Sequence, residues 1–505
     1  MLTALPELDP ARLFAGIDFT SSPTILAAVS GGGDSVALLS LLARHLPPSR
    51  LAAVTIDHAL RPGSAAEAQG VGRFCSDLGV RHSILTWEGP KPATGLSAAA
   101  REARYRLLGQ AARDLGATML FAGHTQDDQA ETVAMRRTRA EGRGLAGMAP
   151  ATLLDGRLWL MRPLLGVRRE ALRDHLRMSL IGWVDDPTNE DTAYERVRAR
   201  RRLSDPAAFA EAIRIAERAA QERVRLGETA AGLIATAACP LPGLIRIDPE
   251  AFLAADKTAA VYALRLLLAT AGGSDHLPDE TRVAALAERL REPALRASLS
   301  RTTLERRKSG IYLRREARGL PEPHVADDGE IWDGRFRLEN VEGRTVGPAA
   351  PFVVRLEGHA RGVPPALARA ATATRPALFS GDECLGLLPG RADVELPPPL
   401  TPPHKGEGLS VASATSSPLW GGVRGGGINT GEGDGTAEDS ERPPAVIGPP
   451  GIPPSPGRPF ALPLAAPFAR LLPSFDLAPA RALARLVGGE LPPPPPYAGH
   501  SAPRP

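Results

Sequence analysis

The apolar run Ile25 to Val29 ends in the string "SGGGDS", residues 30 to 35, and "DSVALLSLLARHL" follows at once with Val36, Leu39, Leu42 and Leu46 at helical spacing. A short buried run, a glycine turn and an amphipathic helix make one strand-helix unit. The unit repeats: "LAAVTIDH" (51–58) reads as a strand, "AAEAQGVGRFCSDLG" as a helix and "RHSILTW" as a strand. "SAAAREARYRLLGQAARDLG" reads as a helix, "ATMLFAGH" (117–124) as a strand, and a helix begins near Asp127. Alternation at this spacing requires right-handed crossovers, hence a doubly wound α/β fold: a parallel sheet with helices on both faces. Ligands in such sheets gather at the carboxyl ends of the strands. Ser30 to Ser35, Asp57 with His58, and Gly123 to Glu131 all fall there.

Glycine lacks a Cβ, so it can adopt positive φ and let main-chain N–H groups converge on an anion. The turn also faces a helix N-terminus, where partial positive charge favours phosphate. Ser30, Gly31, Gly32, Gly33, Asp34 and Ser35 are therefore the expected phosphate-binding residues. The GxxxxGK[ST] spacing of a Walker loop and the GxGxxG of a dinucleotide fold are both missing. A turn that needs glycine only for packing explains one or two of these positions, not the whole string.

A second informative stretch is "GHTQDDQAET", Gly123 to Thr132. Asp128 and Glu131 lie three apart, on one helix face, with His124 and Asp127 at its start. Two such carboxylates suit a magnesium ion, a cationic substrate or a proton in transit. Ordinary helix capping is the simpler account of Asp127 alone. In "MRPLLGVRREALRDHL" the helix buries Val167, Leu172 and Leu176 and reads as structure, while Arg162 at a strand end is placed to reach a phosphate. In "WVDDPTNEDTAYERVRARRRL", Asp186, Asn189 and Asp191 fit a turn or a ligand site, and Arg196, Arg198, Arg200, Arg201 and Arg202 form a cationic surface.

Asp205-Pro206 looks like an N-cap with proline at the first helical position. Beyond it, 206–236, 256–270 and 281–300 read as helices and "SGIYLRREA" as a strand, a C-terminal mainly helical α+β region to about 390. Residues 391–460 hold 27 glycines and prolines in 70 positions, with no repeat period and only Trp420 and Phe460 as aromatics. That composition predicts a disordered insertion. "FARLLPSFDLAPARALARLVGG" then resumes an amphipathic pattern and is expected to dock on the body. The expected division is an N-terminal segment 1–20, a nucleotide-binding catalytic domain 21–205, an accessory domain 206–390, the insertion 391–459, an ordered piece 460–488 and a proline-rich tail 489–505. Cys75, Cys239 and Cys384 are far apart and form no CxxC, which argues against a zinc or iron–sulfur site and fits a reducing cytoplasm. No export signal or membrane span is expected. A formal charge of +3 says little by itself. Its distribution says more: Arg136, Arg137, Arg139 and Arg143 follow the acid helix, and 301–318 carries seven lysines or arginines, patches suited to RNA phosphates. For any single one of these residues, a solvated helix or hairpin face is the simpler reading.

SGGGDS behind a strand resembles the loop of the PP-loop, adenine nucleotide α-hydrolase-like ATPases, which cut ATP between the α and β phosphates. The order SGGGDS, GHTQDDQAET, RPLL and W-x-x-D-P-T-N-x-D followed by Arg196 closely resembles the tRNA(Ile)-lysidine synthase family over about residues 20–205. The chain departs from that family's R-G-S-G loop in "RRTRAEGRGLAGM" (136–148), where Ala140 and Glu141 replace small residues, and from its R-N pair at Arg196-Val197. The resemblance implies ATP and Mg²⁺ as cofactors, with Asp34 on the metal, and free L-lysine and a tRNA(Ile) bearing a CAU anticodon as substrates. It implies that Asp128 and Glu131 receive the lysine ammonium and that Arg196 joins the lysine and adenylate site. His124 would help position the α-phosphate or merely close the strand end. A tRNA 2-thiocytidine synthetase would want further cysteines near the loop, and an NAD or GMP synthetase would not need the basic segment at 301–318. A non-catalytic RNA adaptor would not need Asp34, Asp128 and Glu131 together.

Overall fold

The computed structural model describes residues 8–138, 142–185, 195–241, 243–350, 363–381, 383–390 and 458–497. The expected insertion therefore lies outside the described residues except at Arg458 and Pro459, as do Asp186, Asn189, Asp191, Arg139, Ala140 and Glu141.

The first half of the chain runs α1 (Pro10–Phe14), β1 (Ile25–Ala28), α2 (Gly33–His45), β2 (Leu51–Asp57), α3 (Ser64–Asp77), β3 (Arg81–Thr86) and α4 (Leu96–Asp114). It continues through β4 (Met119–Ala122), α5 (Gln126–Arg137), β5 (Ala151–Leu154), β6 (Leu158–Met161), α6 (Arg169–Met178), α7 (Glu195–Arg202) and the long α8 (Pro206–Ala237). β1 is buried throughout because it is covered twice. Ile25 and Ala27 join the core that contains α2 and α6, while Leu26 and Ala28 join the one that contains α4. Neighbouring side chains on a strand point to opposite faces, so only an unbroken apolar run can serve both layers.

β1 pairs in parallel with β2 on one side and β4 on the other, β2 with β3, and β4 with β6. The chain thus winds outward from β1 to β3 and returns to β4 beside β1, so the strand order reverses between β1 and β4. A crevice opens at such a reversal, above the carboxyl ends of the strands. The glycine loop follows β1 and the acid helix α5 follows β4, which puts both into that crevice.

The second half begins with β7 (Ala238–Leu241), β8 (Leu244–Ile247), α9 (Pro249–Ala254), α10 (Lys257–Gly272), α11 (Glu280–Arg289), β9 (Leu295–Leu299), β10 (Thr302–Arg307) and β11 (Gly310–Arg315). It ends with β12 (His324–Ala326), β13 (Ile331–Trp332), β14 (Phe336–Glu339), β15 (Arg344–Pro348), α12 (Pro365–Thr372), β16 (Pro376–Ser380), β17 (Glu383–Leu387), β18 (Phe460–Pro463), β19 (Leu471–Pro473) and α13 (Leu477–Val487). Apart from β19, its strands form antiparallel sheets of five, four and three members. The single helix expected over 281–300 is corrected: α11 stops at Arg289, and after Pro293 the chain enters β9. Proline cannot continue a helix, and the small and apolar residues beyond it pair with β10.

The C-terminal piece does dock. β19 extends the nucleotide-domain sheet by pairing with β5, β18 pairs with β14, and α13 packs along α8. The joint is fastened by Asp476, 1% exposed, which accepts hydrogen bonds from the Arg143 guanidinium at 2.7 Å and from both Nε (3.0 Å) and Nη2 of Arg223. Arg143 also lies over the Tyr262 ring, 4.2 Å from its centroid. One carboxylate thus ties together the loop after α5, helix α8 and the end of the chain. Removing one member of a buried ion pair costs about 3–5 kcal/mol because the partner charges stay buried. Asp476→Asn is expected to lower stability by about that amount, read as an earlier denaturant midpoint, whereas Arg12→Ala, at an exposed pair with Asp9, should leave the midpoint in place.

Candidate active site

The glycine loop uses its three glycines in three ways. Gly31 has φ +89° and makes the turn. Gly32 is the N-cap of α2 with φ −72°, and Gly33 is already helical. The expectation that positive φ explains the glycines therefore holds for Gly31 alone. At Gly33 a Cβ would lie 3.3 Å from the Trp183 ring, so the glycine admits that side chain. The Val184 N–H donates to the Gly31 carbonyl at 3.0 Å, which keeps the 183–184 segment against the loop. Inside the turn the Ser30 N–H donates to Ser35 Oγ at 3.1 Å, and that hydroxyl donates to the Gly32 carbonyl at 2.9 Å. At Gly123, beyond β4, a Cβ would sit 2.6 Å from the Asp34 carbonyl oxygen. The glycine loop and the start of the acid segment thus meet backbone to backbone.

Thr125 caps α5 in a capping box: its N–H and hydroxyl both donate to Asp128 Oδ2 at 2.8 Å. Asp128 therefore does the capping expected of Asp127. Asp127 instead caps a different helix, accepting from the Arg169 N–H at the start of α6 (2.7 Å) and pairing with the Arg168 guanidinium at 3.2 Å. The other oxygen of Asp128 is left for the site. It accepts from Arg169 Nη2 at 2.8 Å and from Arg196 Nη2 at 2.7 Å.

Glu131, 1% exposed, accepts from Arg196 Nε at 2.7 Å, Arg200 Nε at 2.9 Å and Arg169 Nη1 at 3.2 Å. Arg169 Nε also donates to Asp34 Oδ2 at 3.0 Å. Burial opposes the charge of Arg169, but Asp128, Asp34 and Glu131 more than offset it and raise its pKa. At Asp34, burial raises the carboxyl pKa against the opposing Arg169 guanidinium. His124 is half-buried, and the desolvation of its ring, reinforced by Arg162, Arg104, Arg196 and Arg101, pushes its pKa well below the usual value. It is a neutral imidazole at neutral pH.

The structure thus brings Asp34, Asp128, Glu131 and Arg196 together and places His124 at the base of the same crevice. The sequence reading missed Arg169, which it took for part of a structural helix. A signal was present: a guanidinium in the first turn of a helix opposes the dipole and needs a local anion. Several of the basic residues expected to face RNA also serve the fold. Arg136 donates to the carbonyls of Gly144 (2.6 Å) and Gly147 (3.2 Å), and Arg143 is held by Asp476. In 301–318, Arg315 is fully buried and, like Arg301, pairs with Asp333, while Arg307 and Arg314 pair with Glu305. Arg314 and Arg315 are buried and neutralised within the protein, so their charges are not available to a partner.

Residues 10–207 match the model of the PP-loop domain family. The chain is 46% identical over 519 residues to a tRNA(Ile)-lysidine synthase of Mesorhizobium japonicum, covering 99% of this chain and 100% of that one. It is 43% identical over 350 residues to a tRNA(Ile)-lysidine synthase of Brucella anthropi, covering 65% and 77% of the two chains. Against one from Brucella melitensis the figures are 40% over 362 residues, with 68% and 80% covered.

The close approach at Gly123 makes a direct prediction. Gly123→Ala pushes against the Asp34 backbone and should cost about 1–3 kcal/mol of stability, small enough for the protein to fold. The displaced loop should weaken ATP binding by roughly tenfold, read by calorimetric titration; unchanged affinity would show that the loop does not depend on this contact.

Proposed function

The chain belongs to the tRNA(Ile)-lysidine synthase family, and on that footing we propose that it joins free L-lysine to C2 of the wobble cytidine in the CAU anticodon of tRNA(Ile), using ATP and releasing AMP and pyrophosphate. The observation that carries the reading is Arg169, whose guanidinium spans from Asp34 at the glycine loop to Asp128 and Glu131 on α5. The phosphate loop and the acid pair are therefore one site, where an activated nucleotide and an amine can meet.

In the first step the C2 oxygen of the cytidine bonds to the α-phosphorus of ATP, and the bond to the bridging oxygen breaks with loss of pyrophosphate. In the second, the lysine ε-amine forms the C–N bond at C2, and the C2–O bond breaks with AMP as leaving group. The amine must first lose a proton, since its ordinary pKa of about 10.4 keeps it charged. Asp128 or Glu131 accepts it. These carboxylates already face guanidinium groups, so the incoming ammonium takes over a position that holds positive charge. Arg196 is the one that yields: its side chain is 47% exposed, against 17% for Arg169. Released from the acids, its planar fork suits the α-carboxylate of the same lysine.

Asp34, partly exposed in the first turn of α2, offers the hard oxygen that magnesium prefers and fits an ion shared with the phosphates of ATP. Such an ion supplies charge neutralisation at the α-phosphate when it is bound. Sulfur transfer is the poorer reading, because Cys75 is fully buried and its thiol is pushed up to about 11 by burial. Among the described residues no helix is long and apolar enough to cross a membrane, which accords with action in the cytoplasm, where tRNA, lysine and ATP are found.

Radiolabelled lysine incorporation into unmodified CAU-anticodon tRNA(Ile), run beside elongator tRNA(Met), tests the reading. Label is expected in the isoleucine tRNA with matching AMP release; AMP release without label would require another acceptor. Glu131→Gln removes a charge-assisted contact and should raise the KM for lysine by about 10–100-fold while moving the KM for ATP far less. An unchanged lysine KM would remove Glu131 from the ammonium site.

A further inference from the structure

The proline-rich end of the chain takes no part in the chemistry above, yet it is held in place. The Asp18 N–H donates to the Pro496 carbonyl at 2.9 Å, and Tyr497 forms an antiparallel bridge with Ile17. Held there, the tail closes the third side of a cavity of about 260 Å³ whose other two sides are α8 and the start of α13. Val224, Phe475, Leu477, Ala478 and Pro495 give it apolar walls. It shares no lining residue with the acid crevice.

Four polar side chains line the same space: Ser474, Tyr497, Glu228 and Arg481. Ser474 is fully buried, and neither its Oγ nor the buried Tyr497 Oη has a hydrogen-bond partner. Burial raises the Tyr497 pKa and the Ser474 hydroxyl opposes that rise, but the two groups do not meet at hydrogen-bonding geometry. A buried hydroxyl without a partner costs stability, so two in one cavity suit a binding site better than a packed interior. Glu228, from α8, is exposed and Arg481, from α13, is half-buried, and neither is in an ion pair. Opposite charges that line one cavity without meeting are held apart by it.

The two ends of the cavity differ in sign. Asp476 is the N-cap of α13, but its carboxylate is taken by Arg143 and Arg223 and accepts nothing from the first turn of the helix. The positive end of the helix dipole therefore stays open near Arg481. Glu228 makes the other end negative. We infer that this cavity binds a small amino-acid zwitterion with an apolar side chain. Its carboxylate lies between Arg481 and the start of α13 and accepts from the Ser474 and Tyr497 hydroxyls, its ammonium faces Glu228, and its side chain lies against Phe475 and Val224. The volume falls just below the range of about 300–1,000 Å³ that drug-sized ligands need, which suits a molecule of amino-acid size. This ligand is separate from the lysine consumed under the proposed function, and the inference does not rest on that reading. It touches α8, α13 and the tail together, two residues from Asp476, so its binding strengthens the joint that fastens the end of the chain.

The test is melting of the full chain with leucine, methionine and phenylalanine, each beside its amide, which lacks the carboxylate, and its deaminated acid, which lacks the ammonium. At least one amino acid should raise the melting temperature, and neither of its two analogues should match it. Arg481→Gln and Glu228→Gln break no ion pair, so without ligand both should melt with the parent. Each should lose most of the shift, with affinity lower by roughly tenfold in calorimetric titration. Glu131→Gln, in the crevice, should keep the shift in full. If none of the three amino acids raises the melting temperature, the cavity holds water only and the inference fails. It fails equally if the shift survives in Arg481→Gln and Glu228→Gln, or if Glu131→Gln is the variant that abolishes it. Neither readout involves RNA or lysine incorporation, so failure here leaves the proposed function standing.

Discussion

Three carboxylates drawn into one crevice cannot stay ionised away from bulk water unless cations come with them, and the form of this site follows from that requirement. Asp34, Asp128 and Glu131 are met by Arg169, Arg196 and Arg200, one positive charge for each negative one. The cations come from two separate helices. Arg169 opens α6, and Arg196 and Arg200 lie one turn apart on α7, so closing the charge balance also fixes how both helices approach α5. Asp127 adds to this by capping α6 from the neighbouring helix. Electrostatic balance and tertiary packing are the same interaction here.

The topology supplies the reason these groups meet. Strand order reverses between β1 and β4, and the loops leaving those two strands must share the crevice. Gly123 lets them approach until backbone touches backbone, and Gly33 lets Trp183 close down from the segment that follows α6. The ends of the chain contribute as well. β19 extends the same sheet, and Asp476 fixes the loop that follows α5, so residues more than three hundred positions apart in sequence support one helix.

Much of this was legible locally. An unbroken apolar strand, a glycine turn and an apolar helix face leave little choice of structure, and each element from β1 to α5 was readable from its own residues. "DDQAET" placed Asp128 and Glu131 on one face because helical spacing allows nothing else. What was not legible depended on partners distant in sequence. Arg169 resembled an ordinary helix residue until Asp34, Asp128 and Glu131 surrounded it. Arg315 resembled a solvent-facing cation until Asp333 was found beside it in the interior. Asp128 rather than Asp127 caps α5 for the same reason: each can cap a helix, and which helix it caps depends on where α6 packs. Composition shows how many charges a chain has, and only the fold shows which of them are already spoken for.

That distinction governs the acid side of the crevice. Where α5 meets α6 and α7, Asp128 and Glu131 already face guanidinium groups, and a bound amine must displace one. Displacement costs energy unless the guanidinium released finds a new anion, and an amino acid carries an ammonium and a carboxylate on the same molecule. A simple amine would have to break the Arg196 contacts without compensation, whereas lysine can take the acids with one end and satisfy Arg196 with the other. Under the proposed function, selection for an amino acid over other amines then follows from charge conservation inside the site.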